Sequence, residues 1–522
     1  MPDSSPLYAR HAGHHHTINV KYGYFILLLS AIHAGIIFTS MYIYVKNWNK
    51  TGSVKRVSWL SSSSILPLLA AVILWALILT GTSVWAIDWK DNYTVFIKRT
   101  GRLCVALIPF DMFLVIRSSG YSSSPTSGQF FNYLAHINLH KWISRLIILF
   151  SSIHSIGFIW KWIHEGVLYD KIFILLNSLG VIVWITSLIL IIISLKYFRS
   201  RYYRYFYLWH NITVWGFVVL IGFHARPGIS LYSFLCIMIL FLQIYLRFSQ
   251  QTTLEEVQIV KPNSNSGLYV VRINKLYVPP WSPGSHIRIS ESNSFKQYLY
   301  PSHPYTIAST IDDSTLDLVV RTSKRFQFHQ GVKYNLSGPY TSLPDPFFST
   351  AEQVAIVCGG SGISFGLPLI KGLTLNSNAK VDLFWCIRTI GDLEILKILQ
   401  VNENINVYIT GVENDIYTEG GDEDTVSEGL LNNSEQTDHS TSFELDSLES
   451  EEEQINNANK FNPSTIINRG RPDFNMIFSS LIEGESKNNK WIVACGPRGL
   501  VHDARKWSDQ NKVPFISEVY EM

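Results

Sequence analysis

Four histidines set in two apolar segments constrain this chain more than any other feature. His140 and His154 lie 14 residues apart in LHKWISRLIILFSSIHSIGFIW, and His210 and His224 lie 14 apart in WHNITVWGFVVLIGFHARPG. On an α-helix, 14 steps rise about 21 Å and return to within roughly 40° of the same face. Segments this apolar belong in a hydrocarbon core about 30 Å thick, so two such helices present two histidine pairs at two depths. A lone intramembrane histidine serves as a hydrogen-bond partner for a neighbouring helix. Two equally spaced pairs in separate spans describe instead a site for two stacked hemes, each held by one histidine from either helix.

Composition agrees with a membrane protein: 47% of the 522 residues are hydrophobic. The net charge of +3 hides an asymmetry, because 15 of the 40 acidic residues fall between Glu413 and Glu453, where there is no Lys or Arg. The remaining excess of basic residues flanks the apolar runs, as membrane insertion favours, and calls for no nucleic-acid partner. Five cysteines, with Cys104 and Cys236 inside apolar segments, form no disulfide framework. A polar tail over 1–22 with His11, His14, His15 and His16 precedes the first span and reads as solvated chain.

Seven spans are expected, at Tyr24–Val45, Ile65–Ile87, Leu103–Ile116, Trp142–Trp162, Ile172–Leu195, Leu208–Phe223 and Ser230–Leu246. The third is short and carries Pro109 and Asp111. Lys46, Lys50, Lys55 and Arg56 in one loop, and Lys196, Arg199, Arg201 and Arg204 in another, assign both loops to the cytosol, and the C-terminal half with them. Loop 88–102 opposes this with Lys90, Lys98, Arg99 and Arg102, yet holds a glycosylation sequon at Asn92. In this topology the histidine spans run parallel. His140 and His210 share the inner level, and His154 and His224 the outer. Lys141 and Arg145 suit heme propionates or the ordinary cations of a span's end. Span length does not separate plasma membrane from endoplasmic reticulum, since tilt absorbs a few ångströms.

After Leu246 the pattern changes. VQIV, LYVVRIN, HIRIS, HPYTIAS and LDLVVRT, punctuated by Pro and Gly, predict a small antiparallel β-barrel over 250–345. From 352 to 522, apolar strands alternate with helical stretches, as in a doubly wound α/β domain, interrupted by the acidic, Ser/Asn-rich insertion 413–460. The fold class is therefore a multi-pass α-helical domain over 23–247, followed by a β-barrel and an α/β domain.

Three motifs carry chemistry. In His303-Pro304-Tyr305-Thr306-Ile307-Ala308-Ser309, Tyr305 offers a surface for a flavin ring, Thr306 and Ser309 offer hydroxyls near its N5, and Arg288 or Arg321 offers a cation for its pyrophosphate. Gly359-Gly360-Ser361-Gly362 joins an apolar strand to a helix, where glycines let a dinucleotide approach the backbone. Cys495-Gly496-Pro497, after another apolar strand, puts a thiol near a nicotinamide or is a small buried turn. Arg388, Arg469 and Arg471 suit a 2′-phosphate or a solvated surface.

This combination resembles the ferric reductase and NADPH oxidase superfamily of transmembrane flavocytochromes b. The resemblance runs from about Lys98 to the C-terminus and rests on TGRL at 100–103, both histidine spans, HPYTIAS, GPY at 338–340, GGSGIS, Trp385 with Arg388, GRP at 470–472 and CGP. PGSHIRIS and SHPYTIAS are similar to those of short yeast metalloreductases. GPYT at 338–341 lacks the family's usual following glycine. The resemblance implies two hemes b on His140/His210 and His154/His224, FAD on the HPYTIAS region, and NADPH on GGSGIS and CGP. Electrons would run from cytosolic NADPH to an extracytosolic ferric or cupric chelate, with O₂ as the alternative acceptor. A heme-binding scaffold without catalysis is the remaining reading.

Overall fold

The computed structural model describes residues 19–40, 65–87, 93–116, 133–224, 230–249, 251–263, 265–292, 302–323, 326–341, 343, 347–348, 351–377, 379–411, 465–482 and 489–518. Most of the polar tail, loop 46–64, the sequon at Asn92 and the acidic insertion lie outside these residues. The chain divides near Gln251 into a helical unit and a unit of strands and helices.

The helical unit contains α1 (Asn19–Ser40), α2 (Ile65–Val84), α3 (Tyr93–Phe113), α4 (Tyr133–His164), α5 (Leu168–Ile172), α6 (Leu175–Ser194), α7 (Lys196–Arg201), α8 (Tyr203–His224) and α9 (Ser230–Ser249). Among the described residues six of them, not the expected seven, are long and apolar enough to cross a membrane; the expected third span, Leu103–Ile116, falls largely in α3, whose Lys98, Arg99, Arg102 and Asp111 keep it off that count. Large apolar side chains such as Leu66 (77% exposed), Leu77 (66%) and Phe241 (63%) face away from the protein, which a lipid phase accommodates and water does not.

Two expectations need correction here. Lys98, Arg99 and Arg102 belong to α3, which begins at Tyr93, and not to a loop. The structure also turns part of the expected loop 196–208 into α7 and the start of α8. The polar residues of α3 are tolerated because the helix packs against α4 and α9 and they find partners inside the bundle. Arg99 is 1% exposed. It donates from Nη1 to Trp85 O at 2.6 Å and Thr82 O at 3.1 Å, and from Nε to Asn19 Oδ1 at 2.9 Å. Its guanidinium thus caps the carbonyls that α2 leaves unpaired at its C-terminal end.

The second unit holds two antiparallel groups and one parallel sheet. Strands β1 (Gln251–Leu254), β2 (Gln258–Val260), β3 (Leu268–Asn274), β4 (Ser285–Glu291), β5 (His303–Thr306), β6 (Thr315–Arg321) and β7 (Tyr334–Thr341) form sheets ordered β1-β7-β4-β5 and β2-β3-β6. Ile287, Ile289, Leu316, Leu318 and Tyr334 fill the core between them.

Strands β8 (Gln353–Gly359), β9 (Lys380–Ile387), β10 (Ile405–Ile409), β11 (Ile466–Arg469), β12 (Lys490–Cys495) and β13 (Phe515–Glu518) then build a parallel sheet ordered β11-β10-β9-β8-β12-β13. Helices α10 (Ile363–Ser377), α11 (Glu394–Ile398), α12 (Phe474–Ile477) and α13 (Arg498–Asn511) accompany it. Strand β8 is buried along nearly its whole length, as a strand covered on both faces must be. The order reverses between β8 and β12, and in open α/β sheets that switch point is where a ligand crevice opens.

Candidate heme, flavin and nucleotide sites

The helical period brings the four histidines together as two facing pairs. The rings of His140 on α4 and His210 on α8 have centroids 6.4 Å apart with planes at 81°. Those of His154 and His224 are 6.3 Å apart with planes at 84°. A metal–nitrogen bond of about 2 Å on each side, with the half-width of an imidazole beyond it, separates opposed ligand rings by about 6 Å. Both pairs therefore have the spacing of two axial ligands on one iron.

The ring nitrogens agree. His154 Nδ1 donates to Ile97 O at 2.7 Å, and His224 Nδ1 to Leu176 O at 2.6 Å. A carbonyl only accepts, so Nδ1 carries the proton and Nε2 keeps its lone pair for a metal. Each of these rings also lies over a glycine one turn along the same helix as its carbonyl. A Cβ on Gly101 would stand 2.5 Å from His154 Nδ1, and one on Gly180 would stand 2.7 Å from His224 Nδ1. Small residues here let α3 close on α4, and α6 close on α8.

The other pair is seated differently. His140 Nδ1 points to the backbone carbonyl of Asp111 at 3.2 Å, with that residue's carboxylate Oδ1 beside it at 3.0 Å. Ser144 Oγ donates to Asp111 Oδ2 at 2.7 Å. His210 Nδ1 is buried without a hydrogen-bond partner among the described residues. Arg145 stacks over the Trp142 ring at 4.5 Å and is exposed, which suits an interfacial cation. The donor set, the ring spacing and the glycine clearances all fit bis-histidine heme.

In the β-barrel, β5 pairs with β4 so that Thr306 faces His286 and Pro304 faces Arg288. All four β5 residues are half-buried, whereas β4, β3 and β6 are mostly buried. This partly open strand fits a flavin, whose ring would cover it. Tyr305 packs on Phe326 and Phe328, and burial pushes its hydroxyl above the ordinary tyrosine range. Arg288 is tied to Ser302, through Nε to Oγ at 2.9 Å and Nη2 to O at 2.6 Å. Arg321 is exposed at the end of β6.

Ser309 is separated from this group. It is buried, with its hydroxyl accepting from Asp317 N at 3.0 Å and its carbonyl from Trp281 Nε1 at 3.0 Å. Sequence reading missed Glu518, which β13 brings to 3.5 Å from Thr306 Oγ1 and 3.8 Å from His286 Nδ1. Glu518 ends β13 and belongs to none of the motifs, so the sequence offered no signal for it; only the pairing of β13 with β12 delivers it.

At the switch point the two glycine turns meet. Gly360 has φ +55°, and a Cβ there would meet nothing within 4 Å, so the turn is open above it. Beneath, the contacts are close. A Cβ on Gly362 would reach 2.5 Å from Cys495 O, and one on Gly359 would reach 2.6 Å from Pro497 Cδ. Gly496 has φ +150° and lies against Gly359. Buried Trp385 donates from Nε1 to Gly360 O at 2.9 Å, fixing the turn, while Ser361 remains half-buried at the surface. Burial raises the Cys495 thiol well above its ordinary range, with Glu518 and Cys358 adding to the effect, so it packs as a neutral group. Arg388, Arg469 and Arg471 are exposed at or just beyond the C-terminal ends of β9 and β11, the edge where the crevice opens. This open glycine turn fits a dinucleotide pyrophosphate.

A helical membrane unit with paired histidines, followed by a β-barrel and a doubly wound sheet, defines a class of membrane oxidoreductase, and comparison with known proteins agrees. Residues 100–221 match the model of the ferric reductase like transmembrane component, 251–340 an FAD-binding domain, and 351–509 the ferric reductase NAD binding domain. The chain is 42% identical to a probable metalloreductase AIM14 of Debaryomyces hansenii, covering 98% of each chain. It is 40% identical to its namesake in Scheffersomyces stipitis, over 98% of this chain and 97% of that one. A ferredoxin NADP+ reductase structure from Neisseria gonorrhoeae matches 52% of this chain and 98% of that chain, at 14% identity and a TM-score of 0.34. This chain belongs to the ferric reductase superfamily.

Proposed function

We propose that this protein carries electrons from cytosolic NADPH across a membrane to a ferric or cupric chelate, through FAD and two b-type hemes. The observation that carries the reading is the pair of facing histidine couples, each spaced so that its two histidines would hold one iron between them. The relatives named as probable metalloreductases support the choice of acceptor. Bound FAD would supply the conversion of a two-electron hydride into single electrons, and the hemes a one-electron path across the bilayer.

The chain's own residues prepare each stage. Open Gly360 receives the pyrophosphate of the dinucleotide, and Arg388 at the end of β9 selects a 2′-phosphate. Cys495, neutral and enclosed, gives the nicotinamide a non-ionic wall. Thr306 and Glu518 form a polar pair at the flavin strand. In the helical unit, Gln243 and Arg247 near the end of α9 bond to Met112 O and Tyr207 OH, at the level of His140 and His210. The helical unit ends at this level, before the strand-containing unit begins, and we take His140/His210 as the first pair to receive electrons. If His140/His210 and His154/His224 each hold a heme, both protein ligands of each iron would be histidines, and the chain would leave no open coordination position for the acceptor. An inside-negative potential favours outward electron movement by about 2.3 kcal/mol per 100 mV.

The test is anaerobic. Membranes containing the full chain, given NADPH and a ferric chelate, should form Fe(II), and His154→Ala or His224→Ala should abolish it. Superoxide formation in air without anaerobic Fe(II) formation would overturn the assignment of the acceptor.

A further inference from the structure

We infer that Asp111 orders the reduction potentials of the two heme positions, holding the His140/His210 site below the His154/His224 site so that electrons pass downhill from the first to the second. The inference rests on the two-heme reading above and concerns a positioning residue, since Asp111 acts through His140.

The argument is what stands behind each ligand. Asp111 is buried in α3, its Oδ1 lies 3.0 Å from His140 Nδ1, and its backbone carbonyl lies 3.2 Å from the same atom. Ser144, one turn after His140 on α4, holds Oδ2 at 2.7 Å, so the carboxylate cannot swing away without losing that bond. Oδ1 faces the imidazole and, among the described residues, has no other polar partner. A carboxylate at this distance in a low-dielectric interior favours the more positive, oxidised state of a metal on the far side of the ring, and it makes the imidazole a stronger donor. Both effects lower the potential. His154 and His224 lean on the neutral carbonyls of Ile97 and Leu176, which polarise the ring without adding a net charge. The two sites share spacing and ring geometry; their surroundings differ in the carboxylate, in the nearby Lys141 charge and in the Nδ1 of His210, unpartnered among the described residues, and of these only the carboxylate adds a negative charge beside a ring. In the transfer, one electron leaves the first site and arrives at the second, and no bond is made or broken.

The sequence presents Asp111 as a flaw in a short apolar span. In the folded bundle it is the one acid that touches a paired histidine among the described residues.

Spectroscopic redox titration of the purified full-length protein tests this. Wild type should titrate in two one-electron waves. Asp111→Asn keeps the shape of the side chain and removes its charge. It should raise the lower wave enough to change the electron-sharing ratio between the sites at least tenfold, about 59 mV for one electron. The upper wave should stay in place, and the low-spin bis-histidine signature should persist. A lower wave that does not move, or an upper wave that moves as far, overturns the proposal. If Asp111→Asn does not assemble, His154→Ala retains the first pair, and its remaining heme must titrate at the lower wild-type potential; titration at the higher potential overturns the proposal equally. A wild-type protein without any bis-histidine heme signal overturns the two-heme reading itself, and that outcome is distinct from an unmoved wave.

Discussion

The two histidine pairs have nearly the same ring separation and almost perpendicular planes, yet their surroundings differ. The His154/His224 pair is built twice from one device, in which a helix carbonyl takes the Nδ1 proton and a glycine one turn on leaves room for the ring. The His140/His210 pair has an acid behind one ring and, among the described residues, no hydrogen-bond partner at the buried Nδ1 of the other. Ligand spacing follows from the helical period alone, so it repeats at both levels. Local electrostatics depend on which residues neighbouring helices bring, so they need not repeat.

The largest expected effect breaks one pair and spares the other. Gly180→Val or Gly101→Val puts a side chain where the His224 or His154 ring lies. Either should cut occupancy of that heme more than tenfold while the His140/His210 heme remains, as read from heme content per chain. Loss of both hemes would show that the pairs are not independently seated. Next is Arg99→Ala, which strips α2 of its buried cap two residues from the Ile97 carbonyl. A loss of about 3 kcal/mol is expected, seen as a lower Tm, with the His154/His224 heme released first on heating.

Smaller changes sharpen the contrast. Cys495→Ser should slow NADPH-driven heme reduction about tenfold, or about 1.4 kcal/mol, and leave the dithionite-reduced spectrum of both pairs unchanged. An altered spectrum would mean that the nucleotide domain shapes the heme sites directly. The smallest is Ser144→Ala, which removes the donor to Asp111 Oδ2 and should cost about 1 kcal/mol. Only the His140/His210 wave should shift, and by less than in Asp111→Asn.

Much of this was legible in the sequence, for reasons that differ by element. The four histidines could be read because a 14-residue interval on a helix has one geometric meaning. Gly359-Gly360-Ser361-Gly362 and Cys495-Gly496-Pro497 could be read because each follows an apolar strand, and the parallel sheet then joins them at its switch point. The seats behind the histidines could not be read. Gly101 stood in the expected loop 88–102 as part of TGRL and Gly180 looks like any small residue in a span, and their role appears only when a ring from another helix arrives. Asp111 and Arg99 seemed to weaken a span or fill a loop, because hydropathy scores a residue without its partner. Glu518 was invisible for the same reason, being brought to Thr306 by pairing of β13 with β12.

The most direct measurement of the central claim is the heme content and spectrum of the purified full-length protein, taken beside His154→Ala. The account predicts two low-spin bis-histidine hemes per chain, falling to one in the variant with its His140/His210 signature intact. A single heme in the wild-type chain, or a high-spin signal from either site, would contradict it.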